Sequence, residues 1–253
     1  MGLEFRGIRQ DRAFLTPGGE ITREGPFPRI RRDLVEGSVT LGLNRVRAFP
    51  LSVGPQEGAS LVTRVRVRRE ASLPEGAAGV RGRDGAFEEW VGVGRVFHPL
   101  PVFGGGSGAR GPAVVGVRVA AGAARGPGAG SGHFGVGGMG DRLFPVRGTA
   151  AGARGGTRAW AGSGELRVPL ARLHRGWGLL PLHLDQLAGA VFVDAGATPA
   201  GGIRTDLLAS AGVELVLQQT AFFHGAERLR VGVAAPFAGD GGVAIYGAFG
   251  WSF

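Results

Sequence analysis

The residues that could perform catalysis do not form a catalytic pattern. The stretch Gly162-Ser163-Gly164 is too short for a Gly-x-Ser-x-Gly nucleophile elbow, and the glycine-rich stretch 104–108 lacks the lysine of a phosphate-binding loop. Glu88 and Glu89 are adjacent, so in a strand they point to opposite faces and cannot act on one substrate. Five histidines are scattered without metal-ligand spacing: His98, His133, His174, His183 and His224. We therefore predict no enzymatic activity, no cofactor and no metal site.

One charged constellation predicts a structural role instead. Arg147 lies in a long glycine-rich stretch, residues 122–156, and Glu165 and Asp194 lie on the polar faces of the two strand-like segments that follow. A guanidinium inside a protein needs carboxylate partners, because an unpaired buried charge is costly. Its planar fork can bind one carboxylate through two hydrogen bonds. We predict that Arg147 pairs with Asp194, assisted by Glu165, and pins the stretch inside the fold; a solvated loop arginine is the alternative.

Strands must position these residues, because the hydrophobic pattern has a period of two in ten segments. The segments are residues 1–9, 34–48, 60–70, 87–97, 112–121, 157–170, 186–196, 207–218, 228–237 and 243–253. Their polar faces repeatedly carry arginine or glutamate between glycine and alanine, as the wet lumen of a membrane barrel would. The predicted lumen arginines are Arg64, Arg66, Arg68, Arg228 and Arg230. For each segment alone, a soluble sandwich strand with one solvated face is the alternative.

The final segment ends on its largest apolar residues. Phe249, Trp251 and Phe253 share one face of it, and the alternate positions are small or polar. A soluble protein rarely exposes such a face, whereas lipid covers the outward face of a transmembrane barrel. We predict that these three aromatic residues form a C-terminal strand signal and membrane anchor.

The connections also favour a barrel. The turn 238–242 is short and the stretch 122–156 is long. Transmembrane barrels have short turns on one rim and long loops on the other. With ten segments, an even number, closure as a small barrel is not excluded.

Composition restricts the class of protein. The 253 residues include 50 glycines and no cysteine, and the net charge is +9. No run of 18 apolar residues could form a transmembrane helix. Such a charge can indicate nucleic-acid binding, but arginines at every second position of strands are not a disordered Arg/Gly tract.

The first residues lack the apolar core of a secretory signal, and we expect the chain to be incomplete at its N-terminus.

Three short motifs follow one another between residues 144 and 196. Phe144-Pro145-Val146-Arg147-Gly148-Thr149 is followed by Gly162 to Glu165 and then by Phe192 to Gly196. This order resembles the C-terminal barrel of the Omp85 superfamily, the bacterial surface antigen or D15 family of outer-membrane assembly and translocation proteins. That family has a Val-Arg-Gly-aromatic motif on a loop folded into the lumen, then a Gly-x-x-Glu strand and a Phe-x-Asp-x-Gly strand. The resemblance covers roughly residues 140–253, and Thr149 departs from it.

The resemblance implies a fold, a place and a function. Residues 1–253 would form an all-β, transmembrane antiparallel β-barrel domain with about ten strands, the C-terminal part of a sixteen-strand barrel in the bacterial outer membrane. Residues 122–156 would be its lumenal loop, locked by Arg147, Gly148, Glu165, Asp194 and Gly196. The protein would insert or translocate other polypeptides. Its partners would be outer-membrane lipid, client polypeptides and periplasmic accessory proteins, and no nucleic acid is expected.

Three other functions remain open at this level. A stand-alone barrel lined with arginine could be an anion-preferring channel. A related barrel could anchor a periplasmic domain such as a β-propeller. A soluble Arg/Gly-rich protein could bind RNA with a steep salt dependence.

Overall fold

A computed structural model describes most of the chain. The described residues are 2–10, 14–15, 21–22, 32–48, 54–72, 86–100, 111–130, 132–139, 143–176, 182–199, 207–221 and 226–249. Regular structure in these ranges consists of strands alone. Among the described residues, no helix is long and apolar enough to cross a membrane.

Ten strands form one antiparallel sheet. They are β1 (Gly2–Gln10), β4 (Arg32–Asn44), β5 (Gly58–Ser72), β6 (Phe87–Leu100), β7 (Ala113–Arg125), β10 (Arg158–Gly176), β11 (Leu182–Ala197), β12 (Leu208–Ala221), β13 (Ala226–Ala238) and β14 (Ala244–Phe249). Each strand pairs with the next of these along the chain, and β1 and β14 are the edges of the described sheet. Two small hairpins complete the fold: β2 (Phe14–Leu15) with β3 (Ile21–Thr22), and β8 (Phe134–Val136) with β9 (Arg154–Gly156).

The ten alternating segments of the sequence correspond one to one to these ten strands, which confirms the all-β prediction. The ends differ by a few residues. Within segment 34–48, strand β4 ends at Asn44, whose side chain accepts a hydrogen bond from the Val46 amide. Strand β7 continues to Arg125. The stretch predicted as a loop from residue 122 therefore begins four residues later, and the connection between β7 and β10 is residues 126–157.

The two faces of the sheet have opposite polarity. We call the face that connection 126–157 covers the inner face, and the opposite one the outer face. Large apolar side chains are exposed along the outer face; they include Val35, Val39, Leu61, Val65, Val117, Val119, Val191, Val193, Val213, Leu215, Val231 and Ile245. Charged side chains are buried along the inner face; they include Glu36, Glu89, Arg118, Glu165, Arg167, Asp194, Glu214, Arg228 and Arg230. This is the reverse of a water-soluble sheet, which buries its apolar face.

The two connections whose lengths were taken to mark opposite rims share one rim, so that part of the prediction is wrong. Consecutive antiparallel strands alternate in direction, so every second connection leaves the sheet at the same rim. The long connection 126–157 and the short turn after β13 are separated by two full strand pairs, and both therefore lie on one rim. An ion pair of 3.1 Å between Arg154 and Asp240 joins them. These two connections cannot represent opposite rims.

Connection 126–157 packs onto the sheet through apolar side chains. Its β8–β9 hairpin is extended by bridges from Val136 to Phe144 and from Gly138 to Val146. Four of its side chains form one buried cluster with inner-face residues of β6, β7, β10 and β12; the cluster is Phe134, Val136, Phe144, Val146, Val91, Val93, Ala120, Ala159, Ala161 and Leu208. This cluster is the apolar core of the described structure and fixes the residues that follow Val146.

Candidate functional site

Gly148 places Arg147 against the wall of the sheet. The bridge between Gly138 and Val146 ends just before the arginine, and Gly148 then takes a φ of 81°, which favours glycine. A Cβ at Gly148 would lie 2.6 Å from the Cβ of Ala234 on β13. The glycine after the arginine is therefore required both by the turn and by the close approach to β13.

The side chain of Arg147 binds three carboxylates. Its Nε donates to Asp194 Oδ2 at 2.7 Å and its Nη2 to Asp194 Oδ1 at 2.8 Å, a two-bond fork. Its Nη1 donates to Glu165 Oε2 at 3.1 Å and to Glu214 Oε1 at 3.0 Å. Its Nη2 also donates to Ser163 Oγ at 3.0 Å. The five N–H groups of the guanidinium therefore all have acceptors, and the predicted pairing with Asp194 and Glu165 is present.

Neighbouring side chains hold the three carboxylates in place. Ser163 Oγ donates to Asp194 Oδ1 at 2.6 Å, and Tyr246 donates its hydroxyl proton to Glu214 at 2.6 Å. Arg167 Nε donates to Glu165 at 2.5 Å. Arg230 donates to both Glu165 and Glu214. The members of this group, which we call the Arg147 cluster, are Arg147, Ser163, Glu165, Arg167, Asp194, Glu214, Arg230 and Tyr246.

The charges of the Arg147 cluster balance. Three guanidiniums, of Arg147, Arg167 and Arg230, face three carboxylates. The guanidinium carbon of Arg147 also lies 3.5 Å from the ring centre of Phe192, a cation–π contact. Arg147 lies in the connection rather than in a strand, and burial would lower the pKa of its guanidinium. The bonds and charges of Asp194, Glu214 and Glu165 outweigh burial and raise that pKa, so the group stays charged.

Gly196 makes room for the connection. It lies two residues after Asp194 on β11, and a Cβ there would be 2.9 Å from Val136 Cγ1 and 3.1 Å from Val146 Cγ2. A larger residue would require Val136 and Val146 of the connection to shift away from the sheet. Alternate residues of a strand share a face, so Phe192, Asp194 and Gly196 all lie on the inner face. Phe192 stacks on Arg147, Asp194 binds it, and Gly196 leaves space for the connection.

A second group of charges lies on β4, β5 and β6, and we call it the β4–β6 cluster. It contains Arg64, Arg66 and Arg68, which bond to Glu36 and Glu89 at 2.7 to 3.4 Å in their closest contacts. Phe87 lies beneath two of the guanidiniums. His133 of connection 126–157 reaches Glu89 at 2.8 Å. The connection is therefore attached to both clusters.

The remaining predicted residues are distributed as follows. Arg228 and Arg230 are buried on the inner face. Phe249 is 65% exposed on the outer face, whereas Trp251 and Phe253 lie outside the described residues. Thr149, which stands where the family pattern has an aromatic residue, donates to the Val146 carbonyl at 2.8 Å and accepts from the Gly138 amide. It stabilises the turn of the connection rather than packing on the sheet.

Four members of the Arg147 cluster were not predicted from the sequence. Ser163, Arg167, Glu214 and Tyr246 lie on polar faces of the predicted strands, but no role was assigned to them. The signal for Glu214 was available, because the next polar strand face after those of Glu165 and Asp194 also carries a single acid, and neighbouring strands share the inner face. Tyr246 is the chain's one tyrosine, and its partner followed only from the register of β12, β13 and β14.

The geometry is that of charge pairing and anchoring. Among the described residues, no group of three or more His, Cys, Asp and Glu side chains is placed to hold a metal ion. No family model matches the chain, and no curated protein matches it.

Proposed function

We propose that the chain is the C-terminal part of an outer-membrane β-barrel of the Omp85 type, which inserts or translocates other polypeptides. The observation that carries the proposal is the reversed polarity of the sheet. Its outer face exposes apolar side chains along eight or more strands while its inner face buries charges. Hydrocarbon around the outer face would remove the cost of exposing that apolar surface to water.

The Arg147 cluster supports the family assignment. The Val-Arg-Gly turn reaches the Glu165 and Asp194 side chains on the next two strands, which is the arrangement that the resemblance implies. The loop fills the inner face above this cluster with apolar side chains. A plugged lumen suits a protein that opens only when a client is engaged better than it suits a permanently open pore.

The edge of the sheet suggests how a client would be received. β14 is an edge strand of the described sheet and pairs over six residues with β13 alone. Its free backbone groups could accept an incoming strand by β-augmentation. Arg147 would act in this scheme by keeping β10, β11 and β12 fixed while the edge exchanges partners.

Reconstitution tests the proposal. The full chain is placed in phospholipid vesicles, and the rate at which an unfolded β-barrel client becomes protease-resistant is compared with that in empty vesicles. We expect acceleration by the wild-type chain and its loss in Arg147→Ala, with partial recovery in Arg147→Lys. Arg154→Ala is the matched control, since Arg154 lies in the same connection and pairs with the 92% exposed Asp240.

Two results would contradict the proposal. Failure of the chain to enter vesicles would exclude a membrane barrel. Anion-selective conductance that is unchanged in Arg147→Ala, without any acceleration of client folding, would assign the chain to the channel class instead.

A further inference from the structure

Two arginines face each other on the inner face outside both clusters. Arg95 on β6 and Arg118 on β7 are direct partners in the antiparallel register. Side chains at such positions have Cβ atoms about 4.5–5.5 Å apart, so the two arginine side chains leave the sheet side by side. Like charges directly opposite each other destabilise a sheet.

Several other arginines at the inner face have their positive charge balanced by a carboxylate. Arg66 and Arg68 bond to Glu89 and Glu36, and Arg147 and Arg230 bond to the carboxylates of the Arg147 cluster. Within the described residues, neither Arg95 nor Arg118 makes a salt bridge. In the register, Ser163 separates Arg118 from Asp194, and Asp194 is already held by the fork of Arg147.

Both side chains have donors that lack acceptors. Arg118 is 7% exposed and its Nη2 donates to the Leu143 carbonyl at 2.8 Å. Its Nη1 and the Nε of Arg95 are buried without a hydrogen-bond partner among the described residues. Buried donors are satisfied in most native proteins, so an unpaired donor on each of two facing arginines that have no carboxylate partner in the described part of the chain indicates a missing acceptor. Ser60 of β5 stands opposite Arg95 in the same row and could add a hydroxyl group.

We propose that Arg95 and Arg118 bind a phosphate-type oxyanion on the inner face. Guanidinium forks match the oxygens of phosphate in geometry and charge, and an anion between the two arginines would remove their repulsion. The ligand is either inorganic phosphate or the phosphate of a lipid head group. The inference does not depend on the client-insertion function, because it rests on the sheet register and on the unpartnered donors.

Binding measurements on the folded full chain in an uncharged, phosphate-free detergent test the site. Inorganic phosphate and a short-chain phosphatidic acid are titrated separately by calorimetry at constant ionic strength. We expect saturable binding at one site per chain that is weakened about tenfold or more in Arg95→Gln, since each charge-assisted bond contributes at least this much. The tighter of the two ligands identifies the source of the phosphate.

The controls separate the site from general charge. Arg64→Gln removes an inner-face arginine that has Glu89 as its partner, and we expect phosphate binding to change less than twofold, within the range of a screened charge. Arg95→Lys keeps the charge and should retain weakened binding, which keeps the test decisive if Arg95→Gln does not fold. Absence of saturable binding of both ligands, or equal binding by wild type and Arg95→Gln, would overturn the proposal.

Discussion

The Arg147 cluster and the β4–β6 cluster use the same residue types but differ in burial. In the Arg147 cluster the side chains of Arg147, Glu165 and Glu214 are 8%, 0% and 1% exposed. In the β4–β6 cluster the side chains of Arg64 and Arg66 are 44% and 25% exposed. The first cluster balances three arginines with three carboxylates, whereas the second has three arginines and two carboxylates.

This difference shows what the connection contributes. Alternation along the strands produces charged rows on the inner face in both halves of the sheet, and the connection adds its own arginine to one of them. Without Arg147, the Arg147 cluster would hold three carboxylates and two arginines. The ion pairs of the Arg147 cluster are shielded from water, so the Coulomb attraction within each pair is stronger than in the β4–β6 cluster, and the loss of one partner leaves a buried charge.

The largest expected effect is that of removing the central charge. Arg147→Met leaves Asp194 and its neighbours with uncompensated buried charge, so we expect the free energy of unfolding to fall by about 3–5 kcal/mol. Urea unfolding of the chain in vesicles or detergent, followed by tryptophan fluorescence, measures it. Arg147→Lys keeps the charge but loses the two-bond fork, so its free energy of unfolding should lie between those of the wild type and Arg147→Met. A loss below about 1 kcal/mol in Arg147→Met, the size of an exposed pair, would show that the cluster does not hold the connection.

Steric displacement of the connection should have the next largest effect. Gly196→Val would place atoms within 3 Å of Val136, and we expect a cost of about 1–3 kcal/mol together with faster proteolysis of residues 126–157. Gly164→Val is the matched control, because a Cβ at Gly164 meets nothing within 4 Å. Equal proteolysis of the two variants would contradict the packing described for Gly196.

A smaller effect is expected in the β4–β6 cluster. Arg66 bonds to Glu89 and Glu36 but keeps a quarter of its side chain exposed, so Arg66→Met should cost about 1 kcal/mol or less. The same urea experiment compares it directly with Arg147→Met. If the two variants lost equal stability, burial under the connection would not be what distinguishes the clusters.

The smallest effect is expected at the rim. Arg154→Ala removes a pair whose acid, Asp240, is almost fully exposed, and we expect no change in urea unfolding beyond experimental error. A clear loss of stability would mean that the two connections on this rim support each other more than their contact indicates.

The strands and the central ion pair could be predicted from the sequence, but the completed network could not. Alternation identified all ten strands, because one polar and one apolar face leave a period of two. Arg147, Asp194 and Glu165 followed from motif order and from the cost of a buried charge. Glu214 and Tyr246 enter the Arg147 cluster only because β12, β13 and β14 pair in one register. The rim on which the turn after β13 lies follows from the direction of each strand and not from the length of the connection.

The central claim is that lipid covers the outer face and that the charged face is turned away from it. Arg64 and Val65 are adjacent on β5, both exposed, and on opposite faces. The chain has no cysteine, so Arg64→Cys and Val65→Cys each give one site for a fluorescent label in vesicles. We predict that brominated acyl chains quench the label at 65 and not at 64, and that aqueous iodide shows the opposite preference. Quenching of both labels by iodide alone would contradict the account.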